Sequence, residues 1–345
     1  MNKYSYCATA LAAILSTITM ANASSLAISV ANDDAGIFQP SLNSLYGRKA
    51  ADRGDYTAGL FLGYSHDLTD ASQLSFHIAQ DIYSPSGANK RKPEAVKGDR
   101  AFSAFLHTGL EWNSLATNWL RYRVGTDIGV IGPDAGGQEV QNRAHRIIGA
   151  EKYPAWQDQI ENRYGYTAKG MVSLTPSIDI LGVNVGLYPE VSAVGGNLFQ
   201  YLGYGATVAL GNDKTFNSDN GFGLLSRRGL MHSQKEGLIY KVFAGVERRE
   251  VDRNYTLQGK TLQTKMETVD INKTVDEYRV GATIGYSPVA FSLSLNKVTS
   301  EFRTGDDYSY INGDITFFFM RRQYEITGLR NVTRGNITSY SPALP

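Results

Sequence analysis

Segments of about ten residues with apolar side chains at every second position recur along almost the whole chain. A strand of that kind has one apolar and one polar face, and repeated at this length it is the pattern of a membrane β-barrel, whose wall separates lipid from a lumen. Twelve such segments can be read: 24–32, 56–67, 73–84, 100–114, 118–132, 162–176, 180–197, 198–212, 237–254, 273–288, 289–303 and 308–319. An even number closes an antiparallel barrel with both chain ends on one side. Tyr and Phe crowd strand ends, as in "YSYINGDITFFF", where rings sit at headgroup level. Glycines within strands ("VGTDIGVIG", "VGATIGY") ease the curvature of a barrel wall. A periplasmic β-sandwich is the rival architecture, but twelve long alternating segments exceed what a sandwich needs. The fold expected is therefore all-β, a 12-stranded antiparallel transmembrane β-barrel.

The first 23 residues read as a secretory signal: Lys3, the apolar stretch "ATALAAILSTITMA", and Ala21-Asn22-Ala23 as the cleavage pattern. The only cysteine, Cys7, falls inside it, so the mature chain is expected to lack disulfides. After the signal there is no run of ~18 apolar residues, which excludes a helical membrane protein. Residues 24–319 read as one domain without repeat or linker, and 320–345 as a disordered tail lacking alternation or an amphipathic face. A formal charge of only +1 gives no reason to expect a nucleic-acid partner.

With the N-terminus periplasmic, odd-numbered connections face outward. The even ones are mostly tight ("LTDA", "LATN", "SPVA") and the long ones mostly odd, as outer-membrane barrels prefer. Residues 213–236 break the rule: either the count is off by a hairpin or the chain makes a periplasmic excursion.

Four polar clusters fall on the outer side. Asn32-Asp33-Asp34 closes the first strand, Asp55-Tyr56-Thr57 opens the second, Asn89-Lys90-Arg91-Lys92 lies in the next outer connection, and His145 in the one after. Around His145 the rhythm changes, with Val140, Ala144, Ile147 and Ile148 recurring at helical spacing. At 100° per residue Gln138, Gln141 and His145 form a separate stripe. If the apolar stripe packs on the barrel or dips into lipid, the histidine stripe can face a groove able to hold an acyl chain. Each cluster also has a plainer reading: a turn for the Asn-Asp-Asp, a solvated loop or headgroup anchor for the basic run, a rim helix for the histidine. His66, His77, His107 and His232 lack such company and read as structural. No G-x-S-x-G, zinc-type His spacing, P-loop or Rossmann glycine motif occurs, so an enzyme of this kind would attack with water.

The stretch "VIGPDAGGQEVQNRAHRIIGAEKYPAWQDQIEN", with "VANDDAGIF" and "GDYTAGLFLGY", resembles the outer-membrane lipid A 3'-O-deacylase family, over essentially residues 24–319. The resemblance implies a calcium-dependent esterase of the cell outer membrane. Its site would lie between the wall and a loop helix, facing the outer leaflet, with lipid A of lipopolysaccharide as substrate. Carried over to this sequence, the functional positions fall on Asn32, Asp33, Thr57, Lys90 and His145, with Glu151 a further candidate. His145 would activate water, Asp33 and Asn32 would hold Ca2+, Thr57 would orient water or substrate, and Lys90, with Arg91, Gln141 and Glu151, would contact substrate. A monomer is the expected state. The final 26 residues depart from the family pattern. Two rivals stay open: an outer-membrane phospholipase-type hydrolase, which would need a serine nucleophile motif not found here, and a passive channel or adhesin. A channel would want a strongly polar lumen, whereas "GLFLGY" and "GLIYKVFAG" are apolar or small on both faces.

Overall fold

The computed structural model describes residues 24–33, 55–69, 71–214, 221–225 and 237–319. Residues 1–23, expected to be a signal, residues 320–345, expected to be a tail, Asp34, His232 and most of the first outer connection lie outside the described residues. The strands are β1 (Ser24–Asn32), β2 (Asp55–Thr69), β3 (Ser72–Ser84), β4 (Ser103–Thr117), β5 (Leu120–Ile131), β6 (Arg163–Leu174), β7 (Ser177–Ile180), β8 (Val183–Gly196), β9 (Phe199–Gly211), β10 (Leu238–Asn254), β11 (Thr274–Tyr286), β12 (Val289–Val298) and β13 (Tyr308–Phe319). Each pairs antiparallel with its sequence neighbours, apart from the β6/β7 stave. Closure comes from β1 against β13, with Ser24 opposite Phe319. β6 and β7 share one stave: both pair with β8, on either side of Thr175–Pro176. The wall is thus a closed barrel of twelve staves, as the alternation predicts. Pro176 offers no N–H to the ladder, which accounts for the interruption.

The outward face is apolar. Ile28, Leu60, Ile128, Val191, Leu202 and Ile284 are all exposed, the last at 63 %. In water such a continuous belt would be untenable; facing acyl chains it is the required surface. Trp112, Trp119 and Tyr286 mark one end of the belt, Tyr164, Tyr166, Tyr204 and Tyr278 the other, all exposed. No helix among the described residues is long and apolar enough to cross a membrane.

The lumen is strongly charged, contrary to the sequence expectation. Arg121, Arg123, Asp127, Lys169, Glu190, Glu247 and Glu277 are all buried. These charges come one to three per strand, so no single segment reads as polar. Several are paired: Arg123 Nε lies 3.3 Å from Glu111, Lys169 3.1 Å from Asp127, and Arg249 3.0 Å from Glu277. Pairing offsets the cost of taking such charges out of water, several kcal/mol for an isolated buried ion.

Residues 221–225 resolve the anomalous connection as an excursion that enters the barrel. Arg123 donates to the Leu225 carbonyl at 2.6 Å, Gly223 N–H to Glu277 at 3.3 Å and Leu224 N–H to the Tyr201 hydroxyl at 3.1 Å. Leu225 joins Ile131, Leu198, Phe199 and Tyr201 in the largest apolar cluster. The lumen is polar and is crossed by residues 221–225 and by ion pairs.

Candidate active site

Four connections meet over the mouth on the odd-numbered side: 85–102, 132–162, 255–273 and 299–307. The first two supply the chemistry. Residues 137–148 form the helix anticipated there, α1 (Gly137–Ile148), and Gly149, at φ 74°, ends it in the left-handed conformation that glycine adopts without strain. The chain then doubles back beneath the helix through Glu151 and Tyr153 to the short turn Pro154–Asp158.

α1 is oriented by its polar stripe. Gln141 is buried and accepts a 2.6 Å hydrogen bond from Trp156 Nε1, while Trp156 stacks on Phe102 with ring centroids 4.3 Å apart. Gln141 is thereby an anchor of the helix. The apolar stripe faces away from the barrel: Ile147 is 85 % and Ile148 74 % exposed. Packing of that stripe on the wall, one of the two placements expected, is excluded.

His145 projects towards the doubled-back segment. Its Nδ1 bonds to the Glu151 carbonyl, and its ring meets Tyr153 edge-on at 5.3 Å. A carbonyl oxygen only accepts, so Nδ1 carries the hydrogen, and in the neutral ring Nε2 is the nitrogen that holds the lone pair. Lys90 is buried, with its ammonium 5.8 Å from the centre of the same Tyr153 ring. The Glu151 side chain binds Arg91. Lys90, Arg91, His145 and Glu151, predicted from two separate connections, therefore assemble around one tyrosine.

Asn32, Asp33 and Thr57 form a second group at the ends of β1 and β2. Asp33 N–H donates to the Thr57 carbonyl at 3.2 Å, and the Thr57 hydroxyl lies 2.6 Å from that of Ser84, at the end of β3. Ser84 leads into the turn Gly87–Arg91 that carries Lys90. The donors of this corner are amide, carboxylate, hydroxyl and main-chain oxygens, the set a hard cation such as Ca2+ selects. The two groups are joined through β3 and this turn.

Several positioning residues escaped the sequence reading. Asp99 holds the turn by accepting from Ser86 N–H (2.9 Å), Ser86 hydroxyl (2.7 Å) and Asn89 (2.7 Å). Arg100, fully buried, lies 3.3 Å from Asp55, 3.7 Å from Glu301 and over the Tyr83 ring at 4.5 Å. Asp158, also fully buried, accepts from Ala95 N–H, Gln263 N–H, Thr264 N–H and the Thr264 hydroxyl. The adjacent "GDR" at 98–100 and the aromatic "YPAW" at 153–156 were the available signals.

Asp158 gives the roof a pH dependence. Burial pushes its carboxyl up, but the hydrogen bonds from Ala95, Gln263 and Thr264 outweigh this and hold it below the usual range. A folded-state pKa below the unfolded one contributes stability above the unfolded value, near 3.9, and loses it as pH falls through the folded value. Limited proteolysis of the loops at decreasing pH should show the Asp158 roof opening below about pH 4. Asp158→Asn should open it already at neutral pH; equal resistance in the variant would exclude this role.

Compared with known proteins, the chain matches the model of the outer membrane protein LpxR over residues 9–320. The chain belongs to the LpxR family. Among solved structures it is similar to LpxR from Salmonella typhimurium at 97% identity, with a TM-score of 0.83, covering 85% of this chain and 99% of that one. The β domain of the Bordetella autotransporter BrkA matches at 7% identity and a TM-score of 0.42, covering 86% and 98%. No curated protein matches. LpxR-family membership places this barrel in the outer membrane.

Proposed function

We propose that this LpxR-family barrel hydrolyses the 3'-acyloxyacyl ester of lipid A in the outer leaflet, using water activated by His145 and dependent on Ca2+. The observation that carries the reading is the pairing at Tyr153: a histidine held through Nδ1 and a buried ammonium against one ring, on a helix whose apolar stripe is exposed away from the barrel.

His145 Nε2 takes a proton from water as the oxygen attacks the ester carbonyl, and returns it to the departing 3'-oxygen. The Glu151 carbonyl fixes the imidazole and stabilises the positive ring formed midway. Thr57 is placed to orient water or ester through its hydroxyl. Asn32 and Asp33 would hold Ca2+, which when bound polarises the carbonyl and stabilises negative charge on its oxygen. Lys90 adds a second positive charge or, with Arg91, grips a phosphate or sugar acid; exposed Arg143, Arg146 and Lys152 extend that basic rim. Ile147 and Ile148 enter the acyl layer and bring the helix to the depth of the ester.

Mass spectrometry of lipid A from cells with and without the protein tests this. The expected change is loss of the 3'-linked acyloxyacyl unit, abolished by chelation or Asp33→Ala and restored to the chelated enzyme by calcium. Unaltered lipid A would defeat the activity; full rescue by magnesium alone would defeat the ion assignment.

A further inference from the structure

The barrel wall carries a second cluster of chemically capable side chains, separate from the Tyr153 site. His77 on β3 and Asp127 on β5 lie opposite Gly109 of β4, on one rung of the sheet. A side chain at Gly109 would occupy their meeting place: a Cβ there would sit 2.0 Å from Asp127 Oδ1 and 2.9 Å from His77 Cε1. His107, two residues before Gly109 on the same strand, faces the same side. All three are buried, with exposures of 6 % for His77, 7 % for His107 and 1 % for Asp127.

We infer that this rung is a binding site for a late transition-metal dication, held by one ring nitrogen each of His77 and His107 and by the carboxylate of Asp127. Three observations carry it. One ligand atom from each residue lies within 4.8 Å of the others. The Asp127 carboxylate lies close to both rings, its Oδ1 3.1 Å from His77 Nε2 and its Oδ2 4.0 Å from His107 Nδ1, on either side of the roughly 3.4 Å that ~2.1 Å bonds at tetrahedral angles impose between two ligand atoms. Neither ring nitrogen of His107 completes a hydrogen bond, although both are buried. Native proteins rarely leave such atoms without a partner, and a histidine orphaned at both nitrogens is short of a ligand.

The surroundings have the features of an outer coordination shell. Asp81 Oδ2 lies 3.5 Å from His107 Nε2, just short of a hydrogen bond, so a small approach would complete a carboxylate–histidine–metal relay and leave Nδ1 for the metal. Tyr56 holds the other Asp81 oxygen at 2.9 Å. Phe105 stacks on His107 at 4.2 Å and Phe61 on His77 at 5.4 Å, fixing the planes of both rings. Lys169, 3.1 Å from Asp127 Oδ2 and 3.7 Å from Glu111, is the competing cation, and Glu111 gives it an alternative partner once Asp127 is ligated. Two imidazoles and one carboxylate select zinc, cobalt, nickel or copper over calcium. The ion would tie β3, β4 and β5 together inside the lumen, and the inference is independent of the esterase reading.

Full-length protein in detergent, stripped with chelator and dialysed, should bind one equivalent of Co2+, with the visible absorption of a low-coordinate ion. Zn2+ should displace it, and excess Ca2+ should leave it in place. H77Q and H107Q should abolish the signal, H145A should retain it, and D81N should weaken binding about 10- to 100-fold. Each variant is first checked for heat-modifiable migration as a closed barrel. Absence of stoichiometric Co2+, binding undiminished in H77Q and H107Q, or loss in H145A would each overturn the site. Should the histidine variants fail to insert, zinc-edge X-ray absorption on the wild-type protein decides: two imidazoles with a carboxylate support it, and an all-oxygen shell refutes it.

Discussion

His145→Ala is expected to lower deacylation by about 100- to 10,000-fold, the range a positioned general base contributes, while the protein still migrates as a heat-modifiable barrel. Nothing in the wall depends on this side chain: it sits on a loop helix, half exposed, against the Glu151 carbonyl and the Tyr153 ring. The loss should fall on turnover more than on substrate capture, because Lys90, Arg91 and the apolar stripe of α1 are untouched. The distinguishing measurement is a kinetic comparison on lipid A dispersed in detergent. An unchanged rate would remove the imidazole from the chemistry; a rise in KM with turnover intact would make His145 a binding group.

The barrel was legible in the sequence because lipid on one side and a lumen on the other impose a period of two on every strand. Thus β1 and β13 were read with the bounds they have, and Phe319 was placed at the end of the last strand, where it closes the ring against Ser24. β7 was missed because Pro176 interrupts its stave and only four residues follow. The segment 100–102 reads as strand but leads into β4 from the roof, where Arg100 is drawn to Asp55 and Glu301 instead of a ladder partner. Luminal chemistry was invisible for a different reason. His77, Gly109 and Asp127 are far apart in the chain and meet only through register, so each looks like an isolated exception within an apolar strand.

The rim site was half legible. Helical spacing revealed α1 and put Gln138, Gln141 and His145 on one stripe, but periodicity says nothing of what a helix packs against. That the chain doubles back after Gly149, laying a carbonyl and an aromatic ring beside His145, depends on Trp156 filling a pocket against Phe102. The contact spans 54 residues, and no local rule reports it.

Trp156→Ala should therefore abolish the proposed deacylation without touching a reacting group. Removing a buried tryptophan costs about 3–5 kcal/mol, and here it also strips the Gln141 oxygen of its donor, adding about 1–3 kcal/mol if that oxygen stays buried. The twelve paired staves and the luminal ion pairs are elsewhere, so the loss should be met locally, by α1 and the 149–156 segment leaving the wall. Arg143 and Arg146 on α1 are exposed, and trypsin should cut there far faster in the variant than in wild type. The barrel itself should keep its heat-modifiable migration. Trp156→Phe keeps the stack and loses only the hydrogen bond, so its cleavage and activity should fall between the two. Unchanged trypsin resistance in Trp156→Ala would mean that α1 is held by something other than this ring. The route from a buried indole, through Gln141, to the orientation of the His145 imidazole would then be wrong.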